Sequence, residues 1–161
     1  MPVLISRERA LQKLAEEPEH NCFLCRLSAR DNPLGIFVND EVAVVLSAYP
    51  RFWGQLMIIP VLHFENYTEL PAETWTQMNH LAHVAARVLE TILKPARCYI
   101  ASTGAPQQLP MTGPHIHINV LPVNDPTLKP TDVFTWSHGV YEGSSQEWSA
   151  LRETLKAAWP Q

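Results

Sequence analysis

Basic charge is scarce in this 161-residue chain: 12 lysines and arginines face 16 aspartates and glutamates, a formal net charge of −4. Binding along a nucleic-acid backbone needs a basic footprint, so no nucleic acid is expected as a general partner, although a small anion can still bind locally. Long apolar runs are missing too. No stretch approaches the roughly 18 residues of a membrane span, and residues 1–17 have neither the apolar core nor the small-residue cleavage site of a secretory signal. Only three cysteines are present, two of them spaced C-x-x-C at Cys22 and Cys25, which is too few for a disulfide framework. The expectation is a cytoplasmic setting in which thiols stay reduced or bind metal. Internal repeats and low-complexity segments are absent as well. What remains is ordinary for a globular protein, 46% hydrophobic and 17% charged, with length enough to bury roughly two-thirds of the unfolded surface in a single domain spanning residues 1–161.

The most informative stretch is 113–122 (GPHIHINVLP). His115, His117 and Asn119 alternate with Ile116, Ile118 and Val120, the period of a half-buried β-strand. One face is then core, and the other is a rigid row of imidazoles and an amide, well suited to chemistry. The plain alternative is the solvent face of an edge strand.

Around that stretch the pattern alternates between helix and strand. Residues 6–17 (SRERALQKLAEE) form an amphipathic helix with Ser6 as cap. The C-x-x-C pair can supply half of a zinc site from one tight turn, while a redox role is less well supported without a βαβ context. Short strands are expected at 35–38 and 42–46, joined by a turn at Asn39-Asp40, and a wholly apolar central strand at 56–59 that ends near Pro60 and His63. A long helix runs from Pro71 to a stop at Pro95. On its polar face His80 and His83 read as a solvated pair rather than as metal ligands. Residues 98–102 are the next strand, with Cys98 a buried thiol, and 103–113 a loop. The proline-bearing stretch 122–131 reads as a linker within the domain, and 145–159 (SQEWSALRETLKAAW) as a capped helix.

Four of these motifs, C-F-L-C at 22–25, the hairpin with Pro50, G-Q-L-M-I-I-P-V-L-H at 54–63 and H-I-H-I-N-V-L-P at 115–122, occur in an order that resembles the histidine triad (HIT) superfamily of nucleotide hydrolases and nucleotidyltransferases. The resemblance covers about 21–122 and leaves 123–161 as an extension. It implies an α+β fold, a five-stranded antiparallel sheet with one long helix packed on it and here an additional C-terminal helix, and it implies homodimers. It also implies a nucleotide or nucleotide conjugate as substrate. The nucleophile would be His117, attacking the α-phosphorus to give a covalent nucleotidyl-histidine. Asn119 and Thr112 would contact phosphate. Phe23, Leu24, Leu27, Val45, Ser47, Ala48 and Ser102 would hold the nucleoside, the apolar ones being equally at home as plain core. Cys22, Cys25, His63 and His115 would bind a structural zinc, a closed Cys₂His₂ set with no open catalytic position.

The chain departs from that pattern at several places. Asn119 stands where hydrolytic branches have a third histidine, and an amide can donate a hydrogen bond but cannot protonate a leaving group. The uridylyltransferase branch, with glutamine there, is similar, which favours transfer over hydrolysis. Ser47 stands where the family has a ribose-binding aspartate, and Met111 and Thr112 alter the approach to the triad. The competing reading is therefore a zinc-stabilised nucleotide-binding or interaction protein with little catalysis. A metal-dependent hydrolase using H-x-H directly is weaker, because its ligands are already assigned.

Overall fold

The computed structural model describes residues 1–17, 22–104 and 114–160. Along the chain lie β1 (Val3–Ile5), α1 (Arg7–Ala15), α2 (Phe23–Leu27), β2 (Gly35–Val38), β3 (Val42–Leu46) and β4 (Leu56–Pro60), then α3 (Ala72–Ile92), β5 (Arg97–Ala101), β6 (Ile118–Val123), α4 (Pro130–Val133), β7 (Val140–Glu142) and α5 (Ser145–Ala158). Among the described residues no helix is long and apolar enough to cross a membrane.

The five-stranded sheet has the order β2-β3-β4-β6-β5, every neighbouring pair antiparallel. Its first hairpin turns at Asn39, whose Oδ1 accepts from the backbone N–H groups of Glu41 (2.9 Å) and Val42 (2.8 Å), the side chain closing the turn in place of a backbone carbonyl. The apolar residues of β3, β4 and β6 are buried throughout, which is why these three strands carry no polar alternation except at Asn119.

Strand parity divides the core. Val42, Val44, Leu46, Leu56, Ile58, Ile118 and Val120 point to one face and meet Met78, Leu81, Ala82, Ala85 and Leu89 of α3 together with Leu151 and Leu155 of α5. That is the long-helix layer expected from the sequence, with the C-terminal helix beside it. The α5 helix begins with a capping box in which Ser144 Oγ accepts from Glu147 N and the Glu147 carboxylate accepts from Ser144 N. It also covers the edge strand β2: Arg152 Nε donates to Gly35 O at 2.9 Å and Trp159 stacks on Phe37. The opposite face is covered in two separate pieces. At one side Leu24 and Leu27 of α2 sit on Ala43, Val45, Met57 and Ile59. At the other, Leu128, Val133 and Phe134 of the extension sit on Leu121 and Val123 with Phe52 and Tyr99. Asn119, paired in register with Met57 on one side and Ala101 on the other, lies between them.

Two local expectations are corrected, and one further element was not anticipated. The strand that carries the histidines begins at Ile118, not at His115, because the ladder with β4 stops at the Ile58–Ile118 pair and the chain at Ile116 instead donates its N–H to Phe64 O at 2.7 Å. The 122–131 stretch is not simply a linker: Pro122 and Val123 finish β6, and α4 starts at Pro130. A second sheet, β1 with β7, joins residues near the two ends of the sequence and buries Ile5, Ala10, Trp136 and Val140. Its three-residue strands are too short to leave a periodic signature. Gly139 makes the close approach possible: its φ is +85°, and a Cβ there would stand 2.2 Å from Ile5 O.

Leu155 is fully buried in the same core as the sheet and α3. Replacing it with alanine is expected to cost about 2–5 kcal/mol in one cooperative urea transition. A loss under about 1 kcal/mol, or two transitions, would show that the extension does not fold as part of the domain.

Candidate functional site

The segment leading into β6 sorts its two histidines by what their ring nitrogens can reach. His115 is fully buried, and its Nε2 is 3.0 Å from Pro60 O. A carbonyl only accepts, so Nε2 carries the proton and Nδ1 keeps its lone pair. That Nδ1 faces sulfur, 3.5 Å from Cys22 Sγ and 3.4 Å from Cys25 Sγ. His63 repeats the arrangement: Nε2 is 3.1 Å from Glu65 Oε1, and Nδ1 is 3.3 Å from Cys25 Sγ.

All four ligand atoms of Cys22, Cys25, His63 and His115 lie within 4.8 Å of one another. A tetrahedral ion with Zn–S near ~2.3 Å and Zn–N near ~2.05 Å sets its S and N ligands about 3.5 Å apart, so the spacing, the two lone pairs and the second acceptor behind each imidazole all fit a metal. Burial, and then the neighbouring Cys22, push the Cys25 thiol up to about 11, so two thiolates side by side need a cation between them. Burial first, and then His63, depress the His115 imidazole to about 4, which keeps it neutral and free to ligate.

One pleat further on, His117 Nδ1 is 2.8 Å from the carbonyl oxygen of His115. By the same logic Nδ1 carries the proton, and Nε2 is left as a basic, nucleophilic lone pair. Burial is the main cause of a lowered His117 pKa, with the Arg51 charge adding to it and the His115 carbonyl opposing it, so the ring is neutral at physiological pH.

Asn119 has its orientation set by a relay. The backbone N–H of Arg51 donates to Gln55 Oε1 at 2.9 Å. Gln55 is buried, and its Nε2 donates to Asn119 Oδ1, also at 2.9 Å. Because an N–H can only donate, the first bond assigns the oxygen and nitrogen of Gln55, and the second assigns those of Asn119. Asn119 therefore turns its oxygen to Gln55 and its NH₂ group away from it.

The other residues anticipated from the sequence fall as follows. Leu24, Leu27 and Val45 are buried together on the sheet face shared with Asn119, with Phe23 and Ala48 half-buried at the edge of that cluster. Ser47 is buried where β3 ends, its N–H bonded to Gln55 O. Ser102, one residue past β5, has its hydroxyl 2.6 Å from Tyr67 Oη. Thr112 and Met111 lie outside the described residues. Sequence reasoning missed Glu65, Gln55 and Arg51. Glu65 is visible in principle as an acid two residues from a candidate ligand histidine. Gln55 lies inside a motif, and nothing in its spacing announces a partner 64 residues away.

The relay predicts energetic coupling. Gln55→Leu and Asn119→Leu should each destabilise the protein, and the double variant should be more stable than the sum of the two losses by about 0.5–3 kcal/mol, measured by urea unfolding. Strict additivity would mean the Gln55–Asn119 bond does not form.

No protein-family model and no curated protein matches this chain. Solved structures do. A zinc-bound histidine triad family protein from Mycobacterium smegmatis superposes with a TM-score of 0.65 at 22% identity, covering 86% of this chain and 93% of its own. The diadenosine triphosphate hydrolase of Plasmodium falciparum gives 0.61 at 13% identity, covering 92% and 93%. A uridylyltransferase gives 0.60 at 18% identity, covering 94% of this chain and 50% of its own. At such identities the likeness is one of architecture, and by that architecture the chain has the HIT-like, histidine triad fold.

Proposed function

We propose that this protein is a nucleotidyl hydrolase or nucleotidyltransferase that works through a covalent nucleotidyl-His117 intermediate. The observation that carries the reading is the 2.8 Å bond from His117 Nδ1–H to the His115 carbonyl, which leaves Nε2 unprotonated on a rigid segment in a buried position. In the first step Nε2 attacks the α-phosphorus, an N–P bond forms, and the P–O bond to the leaving group breaks with its electron pair going to the departing oxygen. In the second, water or another nucleophile attacks the same phosphorus and returns the electron pair to Nε2. The NH₂ of Asn119, oriented by Gln55, donates to a phosphoryl oxygen as negative charge builds on it, with Thr112 as a second donor. Phe23, Leu24, Leu27, Val45, Ser47, Ala48 and Ser102 are the proposed nucleoside contacts. Solved neighbours that include a hydrolase of a dinucleotide and a uridylyltransferase support this class of chemistry.

Cys22, Cys25, His63 and His115 are proposed to hold a structural zinc. The donor set and spacing fit it, and a zinc-bound neighbour of the same fold supports it. A zinc ion held there would neutralise two thiolates and tie α2 and the segment after β4 to the start of β6. His117 itself stays outside this set.

Two outcomes are expected. Protein incubated with nucleoside phosphoramidates, dinucleoside polyphosphates and nucleotide-sugars should turn over at least one of them, with the rate falling at least about 10³-fold in His117→Ala. If the whole panel stays intact with wild-type protein, the binding-protein reading replaces this one. The purified protein should carry one zinc per chain, and Cys25→Ser should lose it and lower the Tm by roughly 5–10 °C, that is about 2–3 kcal/mol. Zinc retained in that variant would remove Cys25 from the site.

A further inference from the structure

The two cysteines of the metal-type cluster share a single turn, whereas its two histidines come from distant parts of the chain. Cys22 is the N-cap of α2 and Cys25 lies in its first turn. Cys25 Sγ is 3.3 Å from His63 Nδ1, 38 residues on, and 3.4 Å from His115 Nδ1, 90 residues on. An ion held by all four residues therefore ties α2 to the segment after β4 and to the start of β6. The two sulfurs also lie within 4.8 Å of each other. A disulfide sets its sulfurs about 2.05 Å apart, so the gap to be closed is under about 3 Å, between side chains of one turn. Cys98 takes no part: it lies on β5 with its Sγ 4.0 Å from Ala86 O, on the α3 face of the sheet.

An oxidant can reach this pair. Cys22 and Cys25 are both half-buried, and the His63 side chain beside them is 36% exposed, while His115 behind them is fully buried. The thiolate is the form of cysteine that reacts with a peroxide, and ligation to a cation keeps the sulfur in that form. Cys25, next to the exposed His63, attacks the terminal oxygen of a hydroperoxide: an S–O bond forms, the O–O bond breaks, and the leaving oxygen takes a proton from solvent. The Cys22 sulfur then attacks the sulfenyl sulfur of Cys25. An S–S bond forms, the S–O bond breaks, and hydroxide takes a second solvent proton to leave as water. Two thiolates have lost two electrons and the hydroperoxide has gained them. Because the thiolate is also the metal ligand, His63 and His115 alone remain of the four donors.

We propose that Cys22 and Cys25 are a redox modification site, at which a hydroperoxide converts the ligand pair into a disulfide within the C-F-L-C turn, expels the metal and releases α2 from the segments that carry His63 and His115. This rests on the structural-zinc reading above. Its consequence follows from loop lengths. The four-ligand site bridges separations of 38 and 90 residues, whereas the disulfide closes one turn, and the stabilisation from a cross-link grows with the length of chain it closes. Oxidation thus exchanges a long-range tether for a local one. The element set loose is α2, whose Leu24 and Leu27 sit on Ala43, Val45, Met57 and Ile59 with Phe23 at the edge, the same residues proposed to contact the nucleoside. The pair has no βαβ setting, which is why the event is read as a change in its own ligand set rather than as thiol exchange with other proteins.

The test uses intact wild-type protein loaded with zinc and treated with hydrogen peroxide beside a chromogenic zinc chelator. Zinc release should depend on peroxide and reach one ion per chain, in step with the loss of two hydrogens from the tryptic peptide 14–26, which holds both cysteines and not Cys98. Hydrogen exchange at α2, read at the Ser28 N–H bonded to Leu24 O, should quicken at least about tenfold while exchange in β3 and β4 stays unchanged. A dithiol reductant with added zinc should restore both the metal and the slow exchange. Thiols that stay reduced, cysteines that stop at sulfenic or sulfinic acid, zinc retained beside a formed disulfide, α2 exchange unmoved by metal loss, or failure to reverse would each overturn the proposal and leave the zinc reading standing. Protein that takes up no zinc at the outset removes the zinc reading itself, and the proposal with it.

Discussion

The hydrogen bond from His117 Nδ1–H to the carbonyl of His115 is the constraint from which the rest of the site follows. It exists because two histidines sit two residues apart on an extended segment, so that the ring of one folds back over the backbone of the other. The same extended segment places the His115 ring against Pro60 O, and the two imidazoles end up with opposite nitrogens protonated. One turns Nδ1 toward a pair of sulfurs, and the other leaves Nε2 unprotonated. Two histidines of one segment thereby take different hydrogen-bonding roles with no difference in residue type.

The sheet keeps those roles rigid. On its far face α3 and α5 close a continuous apolar core, so the strands cannot slide without moving every buried side chain to the wrong side. On the near face the cover comes in two pieces, α2 and the extension, and the polar groups occupy the gap between them. That gap is narrow enough to bury His117 and Asn119, and polar enough to orient Asn119 through Gln55. The extension, which carries no chemistry-bearing motif, contributes by packing: Trp136 stacks on Tyr49, Trp148 packs at a tilt against Trp53, and Phe134 offers its carbonyl to Arg51.

Much of this was legible in the sequence, and for physical reasons. The apolar run at 56–59 and the stretch between Pro71 and Pro95 report one element each, and each element is local, whereas the alternation at 115–120 marks the faces of a strand but places its start three residues early. Cys22, Cys25, His63 and His115 became a set only through the resemblance of the whole pattern, since nothing in their spacing says that positions 25 and 115 meet. What stayed hidden depends on pairs far apart in the chain. The β1–β7 pairing joins Val3 to Glu142, Gln55 finds Asn119, and Arg51 finds Phe134.

The central claim concerns one nitrogen atom. Protein with ¹⁵N-labelled histidine, trapped with a nucleotide substrate and examined by NMR for ¹⁵N–³¹P coupling, reports which ring atom carries phosphorus. The account predicts a single coupled signal from Nε2 of His117, with Nδ1 still protonated and bonded to the His115 carbonyl. Phosphorus on Nδ1, or on any other residue, would contradict it.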